Sequence, residues 1–508
     1  MALPRNHPVR LFAAALTCLL VSGCGDSPTD TTPIVPGDPQ SFSLTPSFAT
    51  YLGGSGEESI RGAAVDAQGN VYVTGATQSA NFLATSGAFA TSFHASGIML
   101  MDAFVTKYDP AGHVIWSTFL GGPEYDRAYA IEVDEQGYVY VAGRAGPGFP
   151  VTPGAAQTTF AGGTLPDGAY GPQDGFVCKL KPDGSGVVFC TYLGNATPEV
   201  IRDIAIDANH NIYVATATTG ADPFPAAWFA NAFQKTVHGA EDALIVKIRS
   251  DGSAVEWATY LGGSGNESNG NSVRVDGTGV FLAINTQSSD MPTPNGFDHS
   301  LGGGGDIYVA KLSLDGSQLL YGTYVGGSGN EGAETHQLAL DGQSNAIIAV
   351  GSSSSDFPVS AGAFQATAGG GPGDVLVVKV SPGGALVAAT YLGGDGNEFA
   401  EGVAADQEGN LWLSGTTTSA AFPVTGGQGA AGGSDLIVVG LSPDLKKLVF
   451  SRRLGGSGND PGRAIAVNAS TLVAAGQSDS PNWPVRQAAQ SAPGGNLDGM
   501  IAVFRKGD

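Results

Sequence analysis

The chain has 508 residues, 14% of them charged and 77 of them glycine, with a formal net charge of −23. Sparse charge and abundant glycine exclude a long-helix architecture and suit many short strands joined by tight turns. The acidic balance excludes nucleic acid as a partner, since it repels phosphate, and argues against peripheral docking on anionic lipid.

In chain order, Arg5 and Arg10 precede an apolar run from Leu11 to Leu20, too short for a membrane span. The run ends in Val21-Ser22-Gly23-Cys24. Basic residues, apolar core, small residues and cysteine in that order resemble a bacterial lipoprotein signal. The resemblance implies a signal peptide over residues 1–23, lipidation of Cys24 and attachment to the membrane through that N-terminal lipid only. Several acyl chains, at about 0.8 kcal/mol per buried methylene, would hold the protein stably in the cell envelope, periplasmic or surface-facing. Residues 24–40 are rich in Pro, Thr and Asp and cannot build a core. They are expected to form a tether reaching up to roughly 50 Å if extended.

Residues 41–508 repeat one pattern seven times. The copies open at Tyr51-Leu52-Gly53-Gly54, Phe119-Leu120, Tyr192-Leu193, Tyr260-Leu261, Tyr324-Val325, Tyr391-Leu392 and Arg453-Leu454. So regular a period means one structural unit, repeated and stacked. In the first copy, Ala63 to Asp66 reads as a strand, Ala67-Gln68-Gly69-Asn70 as a turn and Val71 to Gly75 as a second strand. After a long connection, Asp102 to Lys107 reads as a third strand, Pro110-Ala111-Gly112 as a turn and His113 to Leu120 as a fourth. The third strand is apolar on both faces in most copies, so it must lie between two sheets. That describes an all-β fold: a β-propeller of four-stranded antiparallel blades. The seventh copy ends after its third strand, near Phe504, while Ser43 to Tyr51 is an orphan fourth strand. The N-terminal strand is therefore expected to complete the last blade and close a ring of seven.

The repeat resembles the seven-bladed β-propeller (SBBP) family of bacterial surface and secreted proteins. The residues that carry the resemblance include Tyr51 to Gly56, Ala64-Val65-Asp66, Gly69 to Gly75, Phe357-Pro358 with Gly362 to Gln365, and Asp102 to Lys107. The hairpin is also similar to NHL-repeat propellers. Both resemblances imply a binding platform more often than a catalyst. Departures include Asn195 in the third copy's opening, Asn468 in place of a turn aspartate, and Gly440 and Val503 in place of Lys107.

Cys178 and Cys190 stand equidistant from Gly184 in a turn, and antiparallel strands would set them opposite each other. A structural disulfide is expected there. Two acidic series recur in every copy. Glu58, Asp126, Glu199, Glu267, Glu331, Glu398 and Asp460 follow the glycines; Asp102, Asp174, Asp242, Asp306, Asp374, Asp435 and Asp498 open the third strands. Both series map to the rim that carries the long connections. The first are candidate calcium ligands, since calcium prefers such oxygens. Recurrence in every blade favours a structural task for both: satisfying backbone N–H groups where loops enter strands. The hairpin acids Asp66, Asp134, Asp207, Asp276, Asp341 and Asp406 read as turn formers, and aromatic-proline pairs such as Phe149-Pro150 as loop anchors.

No catalytic residue is assigned. The histidines show no zinc spacing, the Gly-Ser-Gly-Asn loops lack the lysine and hydroxyl of a P-loop, and there is no nucleophile elbow. The expected function is a monomeric binding or adhesion scaffold for a protein or glycan, engaged by the long-loop face. The alternative is a propeller enzyme, a carbohydrate lyase or hydrolase, built from blade-specific loops such as Asp167 to Tyr170 or around His299. Non-repeating polar residues gathered near the axis would favour the enzyme; a shallow, seven-fold rim would favour the scaffold.

Overall fold

The structure is a computed structural model that describes residues 41–96, 100–164, 168, 170–220, 224–268, 270–426 and 432–507. The signal, Cys24 and the tether lie outside the described residues. Seven antiparallel sheets are arranged as the blades of a propeller. Blade 1 holds Glu58–Val65, Val71–Thr77, Asp102–Tyr108 and Val114–Leu120, paired in that order. The first strands of consecutive blades pack against one another around the axis, so each blade runs outward along the chain.

Closure is made by the strand Phe48–Leu52. It pairs antiparallel with Asp498–Arg505, register Phe48↔Val503 to Leu52↔Gly499, as the outer strand of blade 7. The third strands are buried along almost their whole length, as the apolar reading requires. Blade 2 adds a short strand, Gly163–Thr164, beside Pro172–Leu180. In blade 5 the inner strand is broken into Glu331–Gly332 and Leu338–Leu340, a departure that matters below.

Neighbouring blades lock by a large-on-small exchange. In blades 1 to 5 the outer hairpin carries a glycine in the left-handed region, as at Gly184 (φ 68°) and Gly252 (φ 72°). That glycine lies flat on an aromatic ring of the preceding blade: a Cβ at Gly184 would stand 2.5 Å from Trp116, and one at Gly252 would stand 2.3 Å from Phe189. Blade 7 meets blade 1 in the same way, Phe48 under Gly112. Where blade 5 offers only Ala388, the turn of blade 6 carries Leu445 at φ 58° instead, and both belong to one apolar cluster. Volume is conserved across the junction, as close packing demands.

Candidate functional site: rim carboxylates and a charged axis

The rim acids are engaged by the backbone. Each accepts from the N–H four residues before it: Gly54 to Glu58 (2.7 Å), Gly122 to Asp126 (2.5 Å), Asn195 to Glu199 (3.0 Å) and Gly263 to Glu267 (3.0 Å). The same bond joins Gly327 to Glu331 (3.1 Å), Gly394 to Glu398 (2.8 Å) and Gly456 to Asp460 (2.7 Å). In most blades the second carboxylate oxygen takes a hydroxyl from the neighbouring strand, as Thr77 donates to Glu58 (2.6 Å) and Thr417 to Glu398 (2.6 Å). All seven are buried.

The third-strand aspartates face the same loops. Asp102 accepts from His94 N and Ala95 N, Asp242 from His238 N and Gly239 N, and Asp498 from Gly494 N and Gly495 N. Asp174, Asp306 and Asp374 accept from Ala161 N, Gly302 N and Gly369 N. Asp435 instead holds the Arg453 guanidinium at 2.5 Å. These carboxylates explain the first glycine of each Leu-Gly-Gly. A Cβ at Gly53 would stand 1.8 Å from Asp498, and one at Gly393 would stand 1.6 Å from Asp374. Gly53 and Gly393 also touch Glu58 and Glu398, so the two acidic series meet at blade junctions. Burial pushes Asp102, Asp174 and Asp306 up to about 6 and Glu199 up to about 8. Among the described residues, no group of three or more metal-ligating side chains is assembled.

The remaining repeat residues serve the scaffold. Asp66 Oδ1 accepts from Gln68 N and Asn70 N, closing the hairpin. The Lys379 ammonium lies 2.6 Å from the hairpin acid Asp341, and Lys179 lies 3.8 Å from Asp134. Repeat tyrosines pin the aromatic-proline loops: the hydroxyl of Tyr192 accepts from Phe149 N (3.0 Å), and that of Tyr51 accepts from Trp483 N (2.8 Å). Where blade 6 replaces the tyrosine by Arg453, the guanidinium donates to Ser419 O (2.8 Å). Cys178 and Cys190 are cross-strand partners joined as a disulfide, Cα atoms 4.1 Å apart. His299 is exposed, with Nδ1 3.0 Å from the Thr293 hydroxyl. Asp167 and Ala169 lie outside the described residues, while Tyr170 packs toward the axis.

The axis does not repeat. Three positions after the rim acid, the seven inner strands carry Arg61, Tyr129, Arg202, Gly270, Glu334, Glu401 and Arg463. Glu334 crosses to three blades: 2.6 Å to Arg61, 3.0 Å to Arg202 and 3.3 Å to Arg463. Arg463 also pairs with Glu401. Burial alone would raise the Glu334 carboxyl, but Arg61, Arg202 and Arg463 hold it down at about 2. Burial, with Arg127 and Arg463 close by, lowers Arg61 to about 10.

Tyr129 stands among guanidiniums. Arg202, Arg127 and Arg144 lie 4.5, 5.3 and 5.9 Å from its ring centre, within cation–π range. Burial would raise its phenol, but Arg144, Arg202, Arg127 and Arg61 together lower it to about 7. Arg144 is capped from the long-loop side by Tyr170, 4.0 Å from that ring's centre, and it touches the Tyr125 hydroxyl (3.3 Å).

A second tier lies nearer the hairpin face, on the floor of a funnel of about 320 Å³. Asp203 receives Arg274 at 2.7 Å and His336 Nδ1 at 3.1 Å, while His336 Nε2 meets Tyr129 O at 2.9 Å. Both imidazole nitrogens face acceptors, an arrangement that favours the doubly protonated, cationic ring. Burial opposes that charge, but the Asp203 carboxylate prevails and raises the His336 pKa.

Sequence reasoning missed this axis, although a signal was present. The rim acid and the turn residue are eight positions apart in most copies, as Glu58 and Asp66 are; in blade 5, Glu331 and Asp341 are ten apart. The two extra residues break the inner strand, with His336 at φ 51°, and push Glu334 and His336 inward.

The family model described as a β-propeller repeat, SBBP, matches residues 48–82 and 115–149. The chain thus carries SBBP-type β-propeller repeats within its seven-bladed ring. It is 25% identical over 297 residues to the regulatory protein FlaEY of Caulobacter vibrioides, covering 56% of this chain but only 29% of that protein. Among solved structures, it is similar to a protein of unknown function from Dyadobacter fermentans, at 11% identity and TM-score 0.40, covering 92% of this chain and 100% of that one. A quinohemoprotein alcohol dehydrogenase from Comamonas testosteroni gives 8% identity and TM-score 0.39, covering 92% and 77%. Similarities this faint carry no argument about function. No helix among the described residues is long and apolar enough to cross a membrane.

Proposed function

We propose that this SBBP propeller is a lipid-anchored, extracytoplasmic binding scaffold that acts as a monomer and captures a glycan or protein ligand on its long-loop face. The signal over residues 1–23, lipid on Cys24 and the tether over 24–40 would hold the ring clear of the envelope. The observation that carries the reading is the asymmetric charged axis around Glu334 and Tyr129, framed by a rim whose own carboxylates are already engaged. An inert spacer has no need to replace one repeated residue by Arg, Tyr, Gly and Glu across its seven blades at the axial position.

A second reading is a carbohydrate lyase or hydrolase. It is favoured by the Tyr129 phenol, which the surrounding arginines bring near neutrality, where a general base works best. A glycan and surface-protein binding screen tests the first reading, and incubating each bound glycan while following chain length separates the two. Binding without shortening supports the scaffold; shortening that Tyr129→Phe abolishes supports the enzyme; no binding refutes both. Fractionation tests the anchor: Cys24→Ala should release the protein from membranes, and an unchanged membrane fraction would refute lipidation.

A further inference from the structure

The axis holds more positive charge than its own carboxylates neutralise. Arg61, Arg202 and Arg463 share Glu334, and Glu401 takes Arg463 as well. Arg127 and Arg144 have no carboxylate partner among the described residues. Their hydrogen bonds go to neutral oxygens: Arg127 to Ser59 Oγ (3.0 Å) and the Tyr125 hydroxyl (3.4 Å), and Arg144 to the Tyr125 hydroxyl. Arg144 is only 4% exposed, and the Nε atoms of both arginines are buried without a partner. The hydroxyl of Tyr129, whose ring centre lies 5.3 and 5.9 Å from these two guanidiniums, makes no hydrogen bond among the described residues. An unpaired buried guanidinium is strongly unfavourable, so two of them side by side in a chain of net charge −23 mark a place kept for an anion.

Solvent reaches this place through Arg127, which is part-exposed, and through the axis, where the Glu334 side chain is 32% open and that of Arg463 is 20% open. The planar guanidinium fork matches a carboxylate edge-on, through paired N–H donors. Beside it, the half-buried ring of Tyr170, which lies 4.8 Å from the buried ring of Tyr125, offers apolar surface of the kind on which a sugar ring rests.

We propose that Arg127 and Arg144, with the Tyr129 phenol packed against both, bind the carboxylate of an acidic sugar entering along the axis. This rests on the glycan half of the binding reading above, and names its ligand class. Arg127 and Arg144 neutralise the carboxylate, the Tyr129 hydroxyl donates to it, and Glu334 keeps the other three arginines occupied so that the anion has one position. The neutral sugar ring then lies toward Tyr170.

The test uses the full-length protein in detergent, with three probes: a glucuronate-containing oligosaccharide, the same oligosaccharide as its methyl ester, and free glucuronate set against sulfate and phosphate. Calorimetry reads binding. The pH titration of phenolate absorbance, taken as wild type minus Tyr129→Phe, reads the site itself. The acid form should bind at least about tenfold tighter than the ester, and Arg144→Gln should remove most of that preference. Free glucuronate should move the Tyr129 titration to higher pH, because it draws on the same arginines. A melting curve of Arg144→Gln separates lost binding from lost fold, and Arg144→Lys, which keeps charge but not the fork, should recover only part of the affinity.

Equal binding of acid and ester, or an equal response of Tyr129 to sulfate or phosphate, would overturn the carboxylate assignment and leave glycan binding standing. A Tyr129 titration unmoved by saturating glucuronate would overturn the axial placement even if the oligosaccharide bound elsewhere. A titration moved by glucuronate with no oligosaccharide bound would support the carboxylate site and refute the glycan reading.

Discussion

Replacing Glu334 by Gln removes the one carboxylate that three blades share. The oxygens lie 2.6, 3.0 and 3.3 Å from Arg61, Arg202 and Arg463. Burial by itself would raise this carboxyl, and the three guanidiniums instead bring it from 4.5 to about 2. A fall of that size corresponds to about 3 kcal/mol, trimmed to about 2 kcal/mol because solvent reaches the side chain. The folded pKa lies below the unfolded one, so this stability is fully present above about pH 4.5 and is lost as pH falls toward 2. Urea unfolding of wild type and Glu334→Gln should therefore differ by about 2 kcal/mol at pH 7 and at pH 6, with the gap closing as pH falls from about 4.5 toward 2. A variant as stable as wild type at pH 7, or a gap that does not change below pH 4.5, would refute the shared-carboxylate account.

Three further outcomes follow from the rim and the blades. Reducing the Cys178–Cys190 bridge, which closes a loop of sequence separation 12, should lower stability by about 2–3 kcal/mol, read as a shift in the urea midpoint that Cys190→Ser reproduces. Burial raises Glu199 to about 8, so wild type should lose stability as pH climbs from about 4.5 to 8. Glu199→Gln should flatten that slope in the same assay, and an unaltered slope would mean that Glu199 is ionised at neutral pH. Chelator should leave the melting temperature unchanged, because the rim acids already accept backbone N–H bonds; a drop on chelation reversed by calcium would show that these carboxylates hold metal instead.

The scaffold was legible because it repeats. Strand order, closure by Phe48–Leu52 and the engagement of the rim acids all concern positions filled alike in each copy, where seven parallel readings correct one another. The pairing of each Leu-Gly-Gly with a third-strand aspartate was visible as two recurrences, but only coordinates show that one carboxylate occupies the space of the other residue's missing Cβ. The exchange of Ala388 with Leu445 against the aromatic-on-glycine rule is equally invisible until two blades lie side by side. The axis was illegible for the opposite reason. Arg61, Tyr129, Glu334 and Arg463 are scattered over some four hundred residues at a position with no common residue, and a search for shared motifs passes over it. The blade 5 insertion, an extra two residues between Glu331 and Asp341, was the largest sign that something there departs from the wheel. The loop holding Asp167 was singled out from sequence, and its neighbour Tyr170 does reach Arg144; His299, singled out with it, makes its ring contact with Thr293 within its own loop.

Amide hydrogen exchange at residues 48–52 tests the closed ring most directly. This strand is nearly four hundred and fifty residues from Asp498–Arg505 in sequence, and only closure brings the two together. The account predicts that amides of Phe48–Leu52 bonded into blade 7 exchange as slowly as those of Val71–Thr77 and lose protection together with Asp498–Arg505. Rapid exchange at 48–52 while the other blades stay protected would contradict it, and with it the axis that the seven blades enclose.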